Sequence, residues 1–415
     1  MTRPLTQDLP HRTDAKLPLF GEAPAAPKRN RFPLAAKGFR PFFLLAGTFG
    51  ALLLPLWLLA LAGVFHPEAY FNPTYWHAHE MVFGFATAVI AGFLLTAASR
   101  WTARETAVGV PLLLLALLWL AGRVALLLAS TEPRWLPAVI DLAFVPAVAI
   151  AVGRPILASR SWRQLPIMGL LVALFLTNLA MHLDVLGVVA DGQRRGSLVA
   201  VDVVILVILI MAGRVFPMFT RNATGVKTIR SLPILDVLAL VAMLVLAVLH
   251  AGQAEPTMIG YAAGLASLLC AARAVYWGAR HSFRTPLLWI LHIGYAWIPI
   301  GLAIRAVAAF DGRVPAVLAT HALTIGAIGS LTLGMMARVA LGHSGRPLVP
   351  SKLVVAAFFL MNIAACVRVI VPLAAVSIYQ VSIYVAGICF AAAFLLFTIV
   401  YFPILTSPRA DGQPG

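Results

Sequence analysis

Residues 196–216 read GSLVAVDVVILVILIMAGRVF, an apolar run broken by one acid, Asp202, with Arg214 near its far end. An α-helix rises 1.5 Å per residue, so a run of this length covers the roughly 30 Å of a bilayer's hydrocarbon. No water is available there to satisfy backbone N–H and C=O groups, and a helix satisfies them internally. Eleven further runs of this kind lie at 41–65, 79–98, 109–129, 135–156, 165–183, 232–252, 257–277, 287–308, 316–337, 353–370 and 379–402. The chain therefore reads as an all-α, polytopic membrane bundle of about twelve transmembrane helices. The alternating ten-residue segments of an outer-membrane barrel are not its pattern.

Composition points the same way. Of 415 residues, 61% are hydrophobic and 11% charged, with a mean hydropathy of +0.93; soluble domains have about 45–50% and about 25%. A soluble enzyme, a disulfide scaffold and a disordered regulator are excluded. The 31 Lys and Arg against 15 Asp and Glu give a net charge of +16, which in a soluble chain would suggest nucleic acid. Position gives another reason. On the N-terminal arm, the C-terminal tail, the even-numbered connections and the run ends beside them there are 23 Lys and Arg. The odd connections hold 4 (Arg134, Arg194, Arg195, Arg313), and Arg123, Arg273, Arg305 and Arg368 fall inside runs. Positive-inside bias then places both termini in the cytoplasm, with the bilayer and not nucleic acid as partner. Three units follow: a basic, disordered cytoplasmic arm over 1–37, a single membrane domain over 38–404, and a cytoplasmic tail over 405–415. The arm lacks an apolar h-region, so no cleaved signal peptide is expected. Cys270, Cys366 and Cys389 lie in apolar runs and are expected to be buried thiols.

Ionisable groups within spans are expensive and usually face a bundle interior or cavity. With this direction, His77, His79 and Glu80 lie at the outer mouth of the second run. Arg123, Asp141, His182, Asp184, Asp202, Arg305, His321 and Arg368 are also placed in the outer half. The inner half holds Asp236, His292, Arg338 and His343. Any site is therefore expected in the periplasmic half, with Glu80, Asp141 and Asp202 as candidates for proton delivery. The connection HPEAYFNPTYWHA, residues 66–78, has no Lys or Arg; its Tyr70, Tyr75 and Trp76 suit the interfacial aromatic belt.

The strongest chemical signal is Trp76-His77-Ala78-His79-Glu80. Histidine is a common ligand for haem iron, copper and zinc. In an extended chain both imidazoles could hold one ion; in a helix they lie about 200° apart and serve different partners. Pro73 just upstream allows either geometry. Glu80 could orient an imidazole or carry protons. From His79, glycines fall at +5 (Gly84) and +13 (Gly92); from His321 they fall at +5 (Gly326) and +13 (Gly334). Glycine lets a flat macrocycle approach a backbone, so His79 and His321 are candidates for a facing haem-ligand pair. Helix packing is the plainer role for the same glycines. His292 could be a ligand or part of a polar network, and His182 a third outer ligand. His343 sits in a basic turn, read as solvated unless an anion lies nearby. His11, His66, His250 and His281 read as surface or interfacial residues.

Gly38-Phe39-Arg40-Pro41-Phe42-Phe43, Trp76-His77-Ala78-His79-Glu80-Met81-Val82-Phe83-Gly84, Ala91-Gly92-Phe93-Leu94-Leu95-Thr96-Ala97, His292-Ile293-Gly294-Tyr295-Ala296-Trp297 and Gly342-His343-Ser344-Gly345-Arg346-Pro347 together resemble the NnrS family, over about residues 37 to 402. The resemblance implies a bacterial inner-membrane protein of twelve spans that contains haem and copper. It also implies a connection with nitric oxide, denitrification and defence against nitrosative stress. Without C-x-x-C-H, a b-type haem is expected.

Three functions follow as expectations. The first is a haem-dependent enzyme that reduces nitric oxide to N2O with electrons from quinol or another membrane donor. The second is a non-catalytic protein that binds nitric oxide or handles iron, haem or copper. The third is a metal-free secondary transporter, which predicts inverted repeats; a recurring Ala-Gly-Arg-Val at 121–124 and 212–215 is too little to make one. Adjacent histidines, as haem–copper oxidases use for copper, do not occur in the chain. His77 and His79 are then the first place to look for copper, which competes with giving His79 to haem.

Overall fold

The computed structural model describes residues 32–65, 70–128 and 133–413. Most of the N-terminal arm, including His11, lies outside the described residues, as does His66. Twelve helices among the described residues are long and apolar enough to cross a membrane. They are α1 (Phe39–Leu61), α2 (Pro73–Thr102), α3 (Val110–Leu127), α4 (Trp135–Ala158), α5 (Trp162–Val185), α6 (Gly192–Thr224), α7 (Pro233–Ala251), α8 (Pro256–Trp277), α9 (Pro286–Phe310), α10 (Ala316–His343), α11 (Lys352–Ala374) and α12 (Tyr379–Thr406). No strand occurs among the described residues. Twelve crossings return the chain to the side it started from, so both ends of the membrane domain share one face.

One boundary difference is informative. Hydropathy starts the second span at residue 79, whereas α2 starts at Pro73. Proline at the first helical position gives up an N–H that would have no helical partner there. The Asn72 side chain then accepts from Tyr75 N at 3.0 Å and closes the cap. The helix is therefore nucleated inside the polar aromatic connection.

Each helix packs on the next, and α12 returns against α1. Helix α2 is the most enclosed, with 78% of its central window buried against 28% for α7. Lipid tails are as apolar as leucine, so close packing, rather than a hydrophobic drive, holds such helices together. Gly192 and Gly196, one turn apart on α6, sit so close to α5 that a Cβ would collide with the carbonyls of Ala180 and Thr177. Elsewhere aromatic side chains fill the interior: Phe85 of α2 meets Phe394 of α12 edge-on at 4.8 Å.

Two helices carry π-helical stretches. Helix α2 is π-helical over Glu80–Ala86 and α10 over Ala322–Gly329, each beginning directly after the histidine singled out above. Such turns are rare and concentrate at functional sites.

Burial corrects some expectations. Cys270 is buried, but Cys366 is exposed and Cys389 half-buried, because they face outward from α11 and α12. Tyr70 leaves the interfacial belt for the interior, where it is 6% exposed.

Candidate metal centre

Because His77 and His79 both lie on the first turns of α2, the helical geometry holds and they part company. His77 stacks on Trp57 of α1, ring centroids 4.2 Å apart. His79 turns to α4 and α5, where its Nε2 lies 2.9 Å from Asn178 Oδ1 and 3.2 Å from Asp141 Oδ2. Its Nδ1 lies 3.2 Å from Glu80 Oε1.

From α5, one turn beyond Asn178, His182 brings its Nε2 to 3.1 Å from the same Asp141 Oδ2. The His182 Nδ1 is 2.7 Å from the hydroxyl of Tyr70. Donor atoms of His79, Asp141 and His182 all lie within 4.8 Å of one another. Each imidazole is thus tied at Nδ1 to an oxygen while its Nε2 points to a shared carboxylate. Metal-ligating histidines show this arrangement, since the partner at the far nitrogen fixes tautomer and ring orientation.

Arg123 of α3 completes the cluster. Its NH1 donates to Glu80 Oε2 at 2.8 Å and its NH2 to Asp141 Oδ1, while Asn178 Nδ2 donates to Asp141 Oδ2 at 2.7 Å. Two carboxylates against one guanidinium leave one negative charge in a buried site. Unpaired buried charge is strongly disfavoured, so the cluster calls for one more cation. A proton on an imidazole can supply it, as could a metal ion held by the Nε2 atoms. Phe71 and Phe83 line His79 at 4.8 and 5.0 Å between ring centroids and form an apolar wall.

Gly84, in the π-turn, makes room for this network. A Cβ there would meet Phe49 Cε1 at 2.6 Å, Glu80 Oε2 at 2.8 Å and Arg123 NH1 at 3.0 Å, and Trp119 Nε1 donates to Gly84 O at 2.9 Å. Gly84→Ala is expected to destabilise the protein by about 1–3 kcal/mol, read as a lower Tm in detergent; an unchanged Tm would mean that α2 can move aside freely.

The other residues singled out in the sequence are distributed elsewhere. His321 Nδ1 lies 2.8 Å from Val317 O, and its electrostatic neighbours include Arg368 and His77. His292 pairs with Thr220 Oγ1 at 2.9 Å. Asp202 forms its own cluster, with His250 Nδ1 at 2.5 Å and Arg305 NH1 at 2.7 Å; His250, in the last turn of α7, is half-buried within it. Gly92 faces Phe42 and Phe43, Gly326 faces Trp297, and Gly334 faces Ile290 and Leu291. With Gly84, each glycine of the repeated spacing is met by side chains of this chain. The Nδ1 of His77 is buried with no hydrogen-bond partner among the described residues.

A family model for the NnrS protein matches residues 33–409. The chain belongs to the NnrS family. The match runs from α1 through α12 and includes every residue of the cluster. No curated protein matches the chain. Membership makes this a nitric-oxide-related membrane protein.

Within this NnrS chain, the sequence pointed to His79, Glu80, Asp141 and His182 but not to Arg123 as their bridge, nor to Asn178, nor to Tyr70 as a partner of the site. A polar Asn one helical turn before His182 was the signal available for Asn178. Tyr70 carried none, because a tyrosine in an aromatic connection reads first as an interfacial anchor.

Proposed function

We propose that the chain is a metal-dependent, nitric-oxide-handling protein whose metal is held by His79, Asp141 and His182. The observation that carries this is the convergence of those three buried donors within 4.8 Å of one another. Two imidazoles and a carboxylate suit copper or another first-row ion better than haem, which takes one or two axial imidazoles. Copper is assigned here, and b-type haem to His77 and His321, so that the two cofactors need not share His79. When bound, such metals supply the site at which nitric oxide binds.

The chain's own groups would do the rest. Arg123 bridges Glu80 and Asp141, and Asn178 and Tyr70 orient the imidazoles. Glu80, touching His79 Nδ1, is placed to hold a proton next to the centre, with Asp202 a second proton-carrying carboxylate further along the bundle. Reduction of two nitric oxide molecules to N2O and water takes two electrons and two protons; quinol is the class of donor proposed. Deeper in the bundle, away from the cluster, a cavity of about 80 Å³ lies between α1, α2, α6 and α10, lined by apolar side chains and Thr332. It exceeds the roughly 10–15 Å³ that admits a water but offers almost no polar partners to keep one. From the charge bias, the end carrying the centre faces the periplasm.

The test is an anaerobic nitric oxide electrode trace on purified, metal-analysed protein with a reductant, beside His182→Ala. Catalytic depletion by the parent and not by the variant is expected. Uptake that stops at one equivalent would favour the non-catalytic reading. Absence of both metal and uptake would overturn the proposal and favour a metal-free transporter.

A further inference from the structure

At the opposite end of the bundle, the chain's C-terminal segment folds back on the turn that follows α10. The turn runs His343-Ser344-Gly345-Arg346, with Gly345 at φ +68°. Ala410 N donates to Ser344 O at 2.9 Å, and Arg409 NH1 to His343 O at 3.2 Å. The Asp411 carboxylate lies on the bare face of Gly345, where any Cβ would collide with it. Arg409 grips that carboxylate with Nε to Oδ1 at 2.9 Å and NH2 to Oδ2 at 2.5 Å. These hydrogen bonds hold the Asp411 carboxyl down at about 2, so it stays anionic.

The surroundings are basic. Arg100, Arg409 and Lys37 act electrostatically on His343. Lys37 is paired with Glu105 at 2.6 Å, and Arg40 donates to Leu405 O and Ser407 O at 2.9 and 2.7 Å, where the tail leaves α12. Two donors in the turn are unused. Ser344 is fully buried, yet its Oγ has no hydrogen-bond partner among the described residues, and neither has the buried Nε of Arg346. A buried unpaired donor costs about 1–3 kcal/mol. A carboxylate offers two oxygens; a phosphate offers more, and arginine grips either in the same bidentate way.

We propose that the His343–Arg346 turn, with Arg409 and Arg100, is a binding site for a phosphate-type anion, in which Asp411 is the built-in stand-in. The ligand displaces Asp411 from Arg409, engages Ser344 and Arg346, and releases the tail. Both α10 and α12 end beside it, at the depth where phospholipid headgroups lie, so a lipid's phosphate and a free one present the same chemistry to it. The inference is independent of the metal centre.

The test uses the full chain with Cys270→Ala, Cys366→Ala and Cys389→Ala, spin-labelled at Gln413→Cys, in uncharged maltoside micelles. The nitroxide is expected to be immobile. Phosphatidylglycerol or inorganic phosphate should raise its mobile fraction several-fold, and the arm that acts at lower concentration names the source. Chloride at matched ionic strength is the screening control. Adding Asp411→Asn should lower the midpoint for the same anion at least 5-fold. A tail that is mobile from the start, that stays immobile under both anions, that is released equally by chloride, or whose midpoint ignores Asp411→Asn overturns the proposal.

Discussion

Asp141→Asn is expected to cost the centre its metal. Outer partners of metal ligands already change affinity 10–100-fold when removed, so losing the carboxylate on which both Nε2 atoms converge should weaken copper binding by at least about 100-fold. The same change deprives Arg123 of one of its two buried partners. Breaking a buried pair typically costs about 3–5 kcal/mol, and the remaining Glu80 contact should keep the loss near the lower figure. Copper titration with elemental analysis reads the first effect, and thermal unfolding of the metal-free forms reads the second. A variant that keeps stoichiometric copper at unchanged affinity would remove the centre from His79, Asp141 and His182.

Arg123→Met should act in opposite directions on the two readouts. Without the guanidinium, Glu80 and Asp141 are buried together with no fixed cation, and the metal-free protein should lose about 3–5 kcal/mol. The extra negative charge should at the same time tighten cation binding, so added copper should restore more stability to this variant than to the parent. Combining Arg123→Met with Glu80→Gln removes one of the two stranded charges and should recover much of the loss, giving a large coupling in a double-mutant cycle. Additive effects would show that the two side chains do not share one buried network.

The bundle was almost wholly legible because crossing a membrane is a local demand. Each run such as 232–252 must be apolar over its own length, and the structure answers with Pro233–Ala251. The start of α2 was not, because the cap at Asn72 and the proline after it lie among residues that hydropathy assigns to the outside. At the centre, residue types were readable and partnerships were not. Asp141 was noticed as an intramembrane carboxylate, but its meeting with His79, His182 and Arg123 depends on how α2, α3, α4 and α5 pack. Asp202 and His250 show the same limit, since only the approach of α6 to α7 joins them. Nothing in the sequence marked the change of pitch that follows both His79 and His321.

Those two π-helical stretches make α2 and α10 each a rod of two phases. Successive α-helical residues are about 100° apart, and a π-turn takes up one residue more than an α-turn does. The histidine-bearing end of each helix is therefore set about 100° away from the facing that an unbroken α-helix would give it. In evolutionary terms this is what a one-residue insertion looks like. An alignment that permits gaps only in loops would put His79 or His321 out of register with a relative whose helix lacks the turn. Removing a single residue within Glu80–Ala86 would leave every span intact while swinging His79 away from Asp141.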